Sequence, residues 1–459
     1  MIKIFLIFLL TILSNTALKA QDIAGQWNGL PKADGMELRV IFRITKTNNI
    51  YISTMDIPDQ DAYVIPVTKV TFENPFLKIE VNSLQIEYTG ELRDKNIIVG
   101  NFRRSGKSYG MNLLRYVRPQ EPVKPYPYYY EDITFENKKD KITLAGTLTL
   151  PKKEGLFPAV ILISGSGPQN RDEELYGHKT FLVLADHLTK NGIAVLRYDD
   201  RGIGQSKGNF NNATSEDFAK DAEAALSYLK SRKEIDKKKI GLIGHSEGGI
   251  IAPMVAANSE NVSFIVLLAA PGIQGSELIL LQQELVFNTY GLNDGVVQRR
   301  KKINKGAYDL IINTKEKEAL KSNLTEYFKK AYKELPKTER PLDEEKNIDQ
   351  RVNRLLEPWW LFFLKYNPSI ILKDVRCPVL ALNGEKDLQV PPKINLEAIR
   401  QGLEKGNNKK VIIKELPGLN HLFQECKTGS TSEYYGIEQT FSPKALNEIS
   451  SWIKEQTGL

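Results

Sequence analysis

Hydrophobic and polar positions follow two rhythms along this chain, and the change between them falls near residue 131. Before it, apolar and polar residues alternate, as in "MELRVIFRITKTNNIYISTMDI" and "FLKIEVNSLQIEYTGELRDKNIIVGNF". A period of two, rich in aromatic and β-branched residues and broken by "TNN" and "RDKN", predicts antiparallel strands. Residues 22–118 therefore read as a small antiparallel β-barrel or sandwich. A Pro- and Tyr-rich stretch, 119–130, reads as a stiff linker. Beyond it, two strand-like segments (131–137 and 141–150) precede "FPAVILISG". Short apolar runs then alternate with helical patterns. "IAVLRYD", "KIGLIGHS", "VSFIVLLAAPG", "CPVLALNGEKD" and "KVIIKELPG" read as buried strands. "TFLVLADHLTKNG" reads as a helix stopped by Gly192, "SEDFAKDAEAALSYLKSR" as one capped by Ser215, and "SPKALNEISSWIKEQ" as one capped by Ser442 with Pro443 in its first turn. This alternation predicts an α/β fold, a mostly parallel sheet with helices on both faces. It is interrupted at 273–374, a helix-like, charge-rich stretch with no convincing strand. Residues 131–272 and 375–459 thus form one α/β domain, with 273–374 inserted as a helical cap.

Composition narrows the partners. A chain of 459 residues is expected to form two or three domains. The formal charge of +7 is a small excess for this length and forms no arginine-rich run or basic helix, which argues against nucleic acid. The first 20 residues, "MIKIFLIFLLTILSNTALKA", have the charged, apolar and small-residue zones of a secretory signal peptide cleaved after Ala20. The expected location is periplasmic or secreted, with an uncleaved anchor as the alternative. No later segment is long and apolar enough to span a membrane. Cys377 and Cys426 are expected at opposite ends of the sheet, too far apart to pair, so both read as free thiols. Four histidines and no Cys/His cluster supply no metal-ligand set, and no cofactor is implied. "GNFRRSGKSYG" contains Gly-Lys-Ser, but its glycine spacing is one residue too long for a P-loop and a strand follows it, so nucleotide binding is rejected.

The candidate chemistry lies at "IGLIGHSEGG". Gly244-His245-Ser246-Glu247-Gly248 fits G-x-S-x-G between a strand and a helix, where a sharp turn exposes the serine and glycines relieve the crowding. A serine nucleophile needs a base, an orienting carboxylate and N–H donors for the oxyanion. His421, in "ELPGLNHLF" after the last strand, is the histidine placed to be the base. His245 lies inside the elbow and points elsewhere; His178 and His187 read as structural or packing residues. Asp387, in "GEKDLQVPP", is the candidate carboxylate, with Glu385 the runner-up. The oxyanion donors are expected to be the backbone N–H groups of Glu247 and Ser166. Arg171 and Asp172 read as braces of the "SGSGPQNRDE" loop, and Asp200 and Arg201 as pins of "DDRGIGQSKG".

Taken together, "GHSEGG", "SGSGPQNRDE", "DDRGIGQSKG", "GEKDLQVPP" and "GLNHLF" resemble the serine α/β-hydrolases of the EstD-type bacterial esterases, near the serine aminopeptidase family. The resemblance covers about residues 130–459. It implies Ser246, Asp387 and His421 as a triad and hydrolysis of carboxylic esters; the β region is similar to an accessory domain found before such hydrolases. The cap has no match, so the substrate range stays open. Trp359 and Trp360 are candidate walls of an acyl pocket, or equally part of the cap core. The expected partner is a small-molecule ester. A serine peptidase or aminopeptidase on the same fold is the alternative, and a non-catalytic glycan- or lipid-binding protein is a third reading.

Overall fold

The computed structural model describes residues 22–459 apart from 34–35, 48–49 and 61. The leader expected at 1–20 lies outside the described residues. The chain divides into two compact units, up to Val117 and from Arg118 to Leu459.

The first unit is built on a ten-stranded sheet with antiparallel pairing throughout, beside a two-stranded antiparallel pair at Lys32–Ala33 and Met36–Glu37. Its alternation is that of the sequence. In Phe76–Val81, Leu77, Ile79 and Val81 are buried while Phe76, Lys78 and Glu80 are not. The inward residues close one core around Trp27, Phe42, Tyr88 and Phe102. One sheet curls about that core, so that Ile50–Ile57 touches Lys69–Glu73. This is barrel-like closure, not two sheets face to face. The Gly-Lys-Ser segment is a hairpin here: Arg104 pairs with Lys107 across the turn at Ser105 and Gly106.

The second unit is built on an eight-stranded sheet: β1 (Tyr129–Asn137), β2 (Ile142–Leu150), β3 (Phe157–Ile163), β4 (Ala194–Tyr198), β5 (Ile235–His245), β6 (Phe264–Leu268), β7 (Val379–Gly384) and β8 (Val411–Leu416). The strand order is β1-β2-β4-β3-β5-β6-β7-β8. The first two strands pair antiparallel and the last six run parallel. Every residue of β4, β6 and β7 is buried, as a sheet covered on both faces requires. Helices α1 (Thr180–Lys190), α2 (Ser215–Ser231) and α3 (Gly248–Ala257) follow β3, β4 and β5. Six helices, α4 (Gly275–Thr289), α5 (Asp294–Asn313), α6 (Lys317–Glu334), α7 (Glu344–Leu355), α8 (Pro358–Lys365) and α9 (Ser369–Leu372), fill the stretch between β6 and β7. Then come α10 (Pro392–Lys405), after β7, and α11 (Pro443–Thr457) near the C-terminus. On one face Phe181, Leu184 and Leu188 of α1 share a core with Ile449 and Trp452 of α11. On the other, Ala222 and Leu229 of α2 pack with Ile251 and Val255 of α3 and Ile399 of α10. The inserted helices have their own core, with Leu324, Phe328 and Val352, and it reaches the sheet unit through Ile250 of α3.

One cap differs from the sequence expectation. Thr214, not Ser215, precedes α2, and Asp217 Oδ2 accepts from its backbone N–H at 2.9 Å and its hydroxyl at 3.1 Å. A capping box needs an acid three residues on; Thr214 has Asp217, whereas Ser215 has Phe218. Ser442 does cap α11, accepting from Lys444 N–H at 3.3 Å. Cys377 and Cys426 are both free. Among the described residues no helix is long and apolar enough to cross a membrane.

Candidate active site

The site forms at the C-terminal rim of the parallel strands, where β5 breaks into α3. Ser246 stands between them in the left-handed region, at φ +50°, its N–H donating to Leu268 O of β6 at 2.8 Å. A non-glycine residue held there is strained. The flanking glycines have a measurable reason. A Cβ on Gly244 would lie 2.0 Å from Gly248 O, and one on Gly248 would lie 2.1 Å from Ile163 O. Gly249 is as constrained, since its Cβ would meet Ala270 Cβ at 2.3 Å. That third glycine lies outside the five-residue motif.

The turn after β7 supplies a carboxylate. Asp387 Oδ1 accepts from Gln389 N–H at 2.8 Å and Val390 N–H at 2.9 Å, which fixes the side chain. Its Oδ2 lies 2.7 Å from His421 Nδ1, and both side chains are buried. The two loops meet because Gly384 lets backbone touch backbone: its Cβ would lie 2.3 Å from Leu419 O. Asn420 shapes the His421 loop, its Oδ1 accepting from Leu422 and Gln424 N–H at 3.0 Å each. With Nδ1 donated to a carboxylate, Nε2 of His421 keeps a lone pair that can take a proton.

The loop carrying His421 is tied to the elbow itself. His245 Nε2 donates to His421 O at 3.0 Å, and the two rings lie 4.9 Å apart. The other nitrogen, Nδ1, is 2.8 Å from Glu173 Oε1. The same Oε1 accepts from Gly165 N–H at 2.8 Å, in the turn after β3. Burial pushes the His245 imidazole toward neutrality, but the carboxylate of Glu173 and the carbonyl of His421 outweigh it and raise its affinity for a proton.

That turn lies beside the serine, since a Cβ on Gly165 would meet Ser246 Cβ at 3.1 Å. Asp200, its acidity suppressed by burial, accepts from Ser164 Oγ at 2.7 Å and Gln169 N–H at 2.9 Å. Arg171 braces the loop on Asp199 at 2.7 Å, and Asp172 pairs with Arg197. Arg201 binds Asp221 at 2.7 Å. Gly165 N–H is committed to Glu173, whereas Ser166 N–H and Glu247 N–H have no acceptor among the described residues.

Glu247 also connects the elbow to the cap. Its side chain is buried, which raises its affinity for a proton, and Oε1 accepts from Ser215 Oγ at 2.6 Å and Trp359 Nε1 at 2.8 Å. Trp359 of α8 stacks on Phe363 with centroids 4.7 Å apart. Trp359 and Trp360 line a cleft of about 740 Å³ with Ser166, Gly167, Phe210 and Ile279. The two tryptophans thus belong to the cap packing and to a cleft wall at once. His178 and His187 are elsewhere, bonded to Tyr434 O at 2.8 Å and Ser450 Oγ at 3.0 Å. Glu385 accepts from Gly418 N–H at 2.8 Å. No group of three His, Cys, Asp or Glu among the described residues could hold a metal ion.

Glu173 and the Trp359–Glu247 bond escape a reading of the sequence. Glu173 is the last letter of "SGSGPQNRDE", but nothing in its spacing says that the loop folds back on Gly165 and His245. Its left-handed φ of +47° is invisible in the sequence.

Comparison with known proteins finds similarity to serine hydrolases and esterases. Residues 178–323 match the family model described as Serine aminopeptidase, S33, a span that includes Ser246 but stops short of Asp387 and His421. Esterase EstD of Thermotoga maritima is 26% identical over 351 residues, 76% of this chain and 74% of that protein. The putative hydrolase YtaP of Bacillus subtilis is 32% identical over 140 residues, 26% of this chain and 46% of that one. Among solved structures, the α/β hydrolase GrgF from Penicillium sp. sh18 aligns over 72% of this chain and 100% of its own, at 17% identity and a TM-score of 0.45. The strand order and the strained serine between β5 and α3 give the chain the α/β-hydrolase fold, and its matches to the S33 model and to EstD make it similar to the esterases and serine hydrolases of that fold.

Proposed function

We propose that this protein is an exported serine esterase in which Ser246, His421 and Asp387 act as a triad on a small-molecule carboxylic ester. The observation that carries the reading is the 2.7 Å contact between His421 Nδ1 and Asp387 Oδ2, formed by two loops on the rim that bears Ser246. His421 Nε2 takes the Ser246 proton as Oγ attacks the ester carbonyl, and Asp387 stabilises the imidazolium that forms. The N–H groups of Glu247 and Ser166 receive the developing oxyanion. His421 then protonates the leaving alcohol. Water, deprotonated by the same imidazole, releases the acid from the acyl-enzyme. Trp359 and Trp360 wall the cleft where the acyl group lies. The leader at 1–20 supports export, and the mass of the protein recovered from the cell envelope or medium tests cleavage after Ala20.

The test is a panel of p-nitrophenyl esters from acetate upward beside aminoacyl anilides, run with purified mature protein and with Ser246→Ala. Ester turnover that vanishes in the variant is expected. Anilide turnover exceeding ester turnover replaces the esterase by a peptidase on the same site. No turnover of either, with glycan or lipid binding kept in both proteins, removes the catalytic reading.

A further inference from the structure

We propose that His245, held as an imidazolium by Glu173, is a positioning residue that ties the turn after β3 to the loop carrying His421. The inference rests on the triad reading above for its consequence in catalysis, though not for the bridge itself.

Three contacts carry it. Glu173 Oε1 accepts from Gly165 N–H and faces His245 Nδ1, each at 2.8 Å; His245 Nε2 faces His421 O at 3.0 Å. A backbone carbonyl accepts and never donates, so Nε2 must carry a hydrogen. A carboxylate also only accepts, so Nδ1 must carry one too. The bridge therefore holds one proton more than a neutral imidazole and a carboxylate together. Imidazole is the stronger base, and Oε1 already accepts from Gly165, so the proton belongs on the ring. His178 shows the alternative. Its Nε2 donates to Tyr434 O at 2.8 Å while its Nδ1 meets a hydroxyl, Thr440 Oγ1, at 3.2 Å, and a hydroxyl can donate. A neutral ring satisfies both of those partners.

Burial makes the charge pairing necessary. Glu173 is fully buried, and its Oε2 has no hydrogen-bond partner. Such a carboxylate needs a counter-charge, and His245 is its only ion-pair partner among the described residues. Glu173 is also held at φ +47°, a strained conformation that persists where surrounding structure demands it. The groups facing His245 are Glu173 from the loop after β3, His421 from the loop after β8, and, farther off, Asp387 from the turn after β7. The bridge thus fixes three parts that must stay in register: the oxyanion turn, the elbow and the base loop. None of its groups touches the reacting atoms.

The experiment is nitrogen NMR of the full-length mature protein labelled at histidine, with kinetics of Glu173→Gln. Both ring nitrogens of His245 are expected to be protonated at neutral pH, while His178 shows one bare nitrogen. In Glu173→Gln, which keeps an oxygen for Gly165 but removes the charge, His245 becomes a neutral tautomer. Its kcat on the best ester falls ten- to a hundredfold with KM within twofold, the split expected when the catalytic loops move but the cleft does not. A bare nitrogen on His245 in the parent overturns the proposal, and so does an unchanged kcat in the variant. If Glu173→Gln does not fold, the spectrum of the parent still decides. If no ester is cleaved, the proposed function fails on its own, and the rate of Ser246 labelling by a fluorophosphonate replaces kcat.

Discussion

Two buried imidazole–carboxylate pairs stand side by side at the rim of the sheet, His421–Asp387 and His245–Glu173, at 2.7 and 2.8 Å. By ring, partner and burial they are near copies. They differ at the second nitrogen. His245 Nε2 faces a carbonyl oxygen, so that ring is saturated with donors and can only hold its neighbours. His421 donates Nδ1 to Asp387, and its Nε2 stays open for a proton. The carboxylate therefore does not distinguish the proposed base from the proposed bridge. The group at the far nitrogen does.

Breaking each pair should separate them by magnitude. Asp387→Asn leaves the fold intact but favours the wrong tautomer of His421, and kcat is expected to fall on the order of 10⁴-fold in a steady-state assay. Against that, the ten- to hundredfold loss expected of Glu173→Gln marks a group that acts through others. Equal losses would erase the difference between the two pairs. The cap contact gives a smaller effect, read in stability. Trp359→Phe removes one of two donors to the buried Glu247 carboxyl, and thermal or denaturant unfolding should register a loss of about 1–3 kcal/mol. An effect of similar size, confined to acid pH, concerns His178, whose proton affinity burial lowers to a pKa of about 3, with the nearby Arg118 adding to it. Its folded value lies below the ordinary one near 6.5, so the unfolded chain binds the extra proton between those limits. Stability from this residue is present above pH 6.5 and is lost as pH falls toward 3, by up to about 1.4 kcal/mol per unit. Midpoints of denaturation at pH 6.5 and 4.5 should draw closer together in His178→Gln. His245 has the opposite sign: its raised affinity makes a contribution that is present below the ordinary histidine value and disappears as pH rises through the folded one.

Much of the rim was legible from the sequence because local rules govern it. The wholly apolar runs of β4, β6 and β7 announce a sheet covered on both faces, and the crowding between Gly244 and Gly248 is set within five residues. The meeting of Asp387 and His421 at the rim was foreseeable because each lies a few residues past a strand end, where the fold rule places site residues. Glu173 could not, since its role depends on a loop returning through left-handed backbone to meet residues 72 positions away. Ser215 misled for a local reason: it looks like a helix cap, but its hydroxyl turns to Glu247 and Thr214 takes the capping position. The tryptophans of α8 were open between cleft wall and cap core, and nothing in their spacing announces that an indole N–H reaches the residue after the serine.

That indole bond has a practical consequence for the roof over the cleft. A roof fastened to the floor at the residue after Ser246 gives up one of the two donors to a buried acid oxygen when it lifts, so opening it carries a cost. Anyone grafting a foreign roof onto this frame to change its diet would need to bring a replacement N–H for that one oxygen, or accept a looser floor.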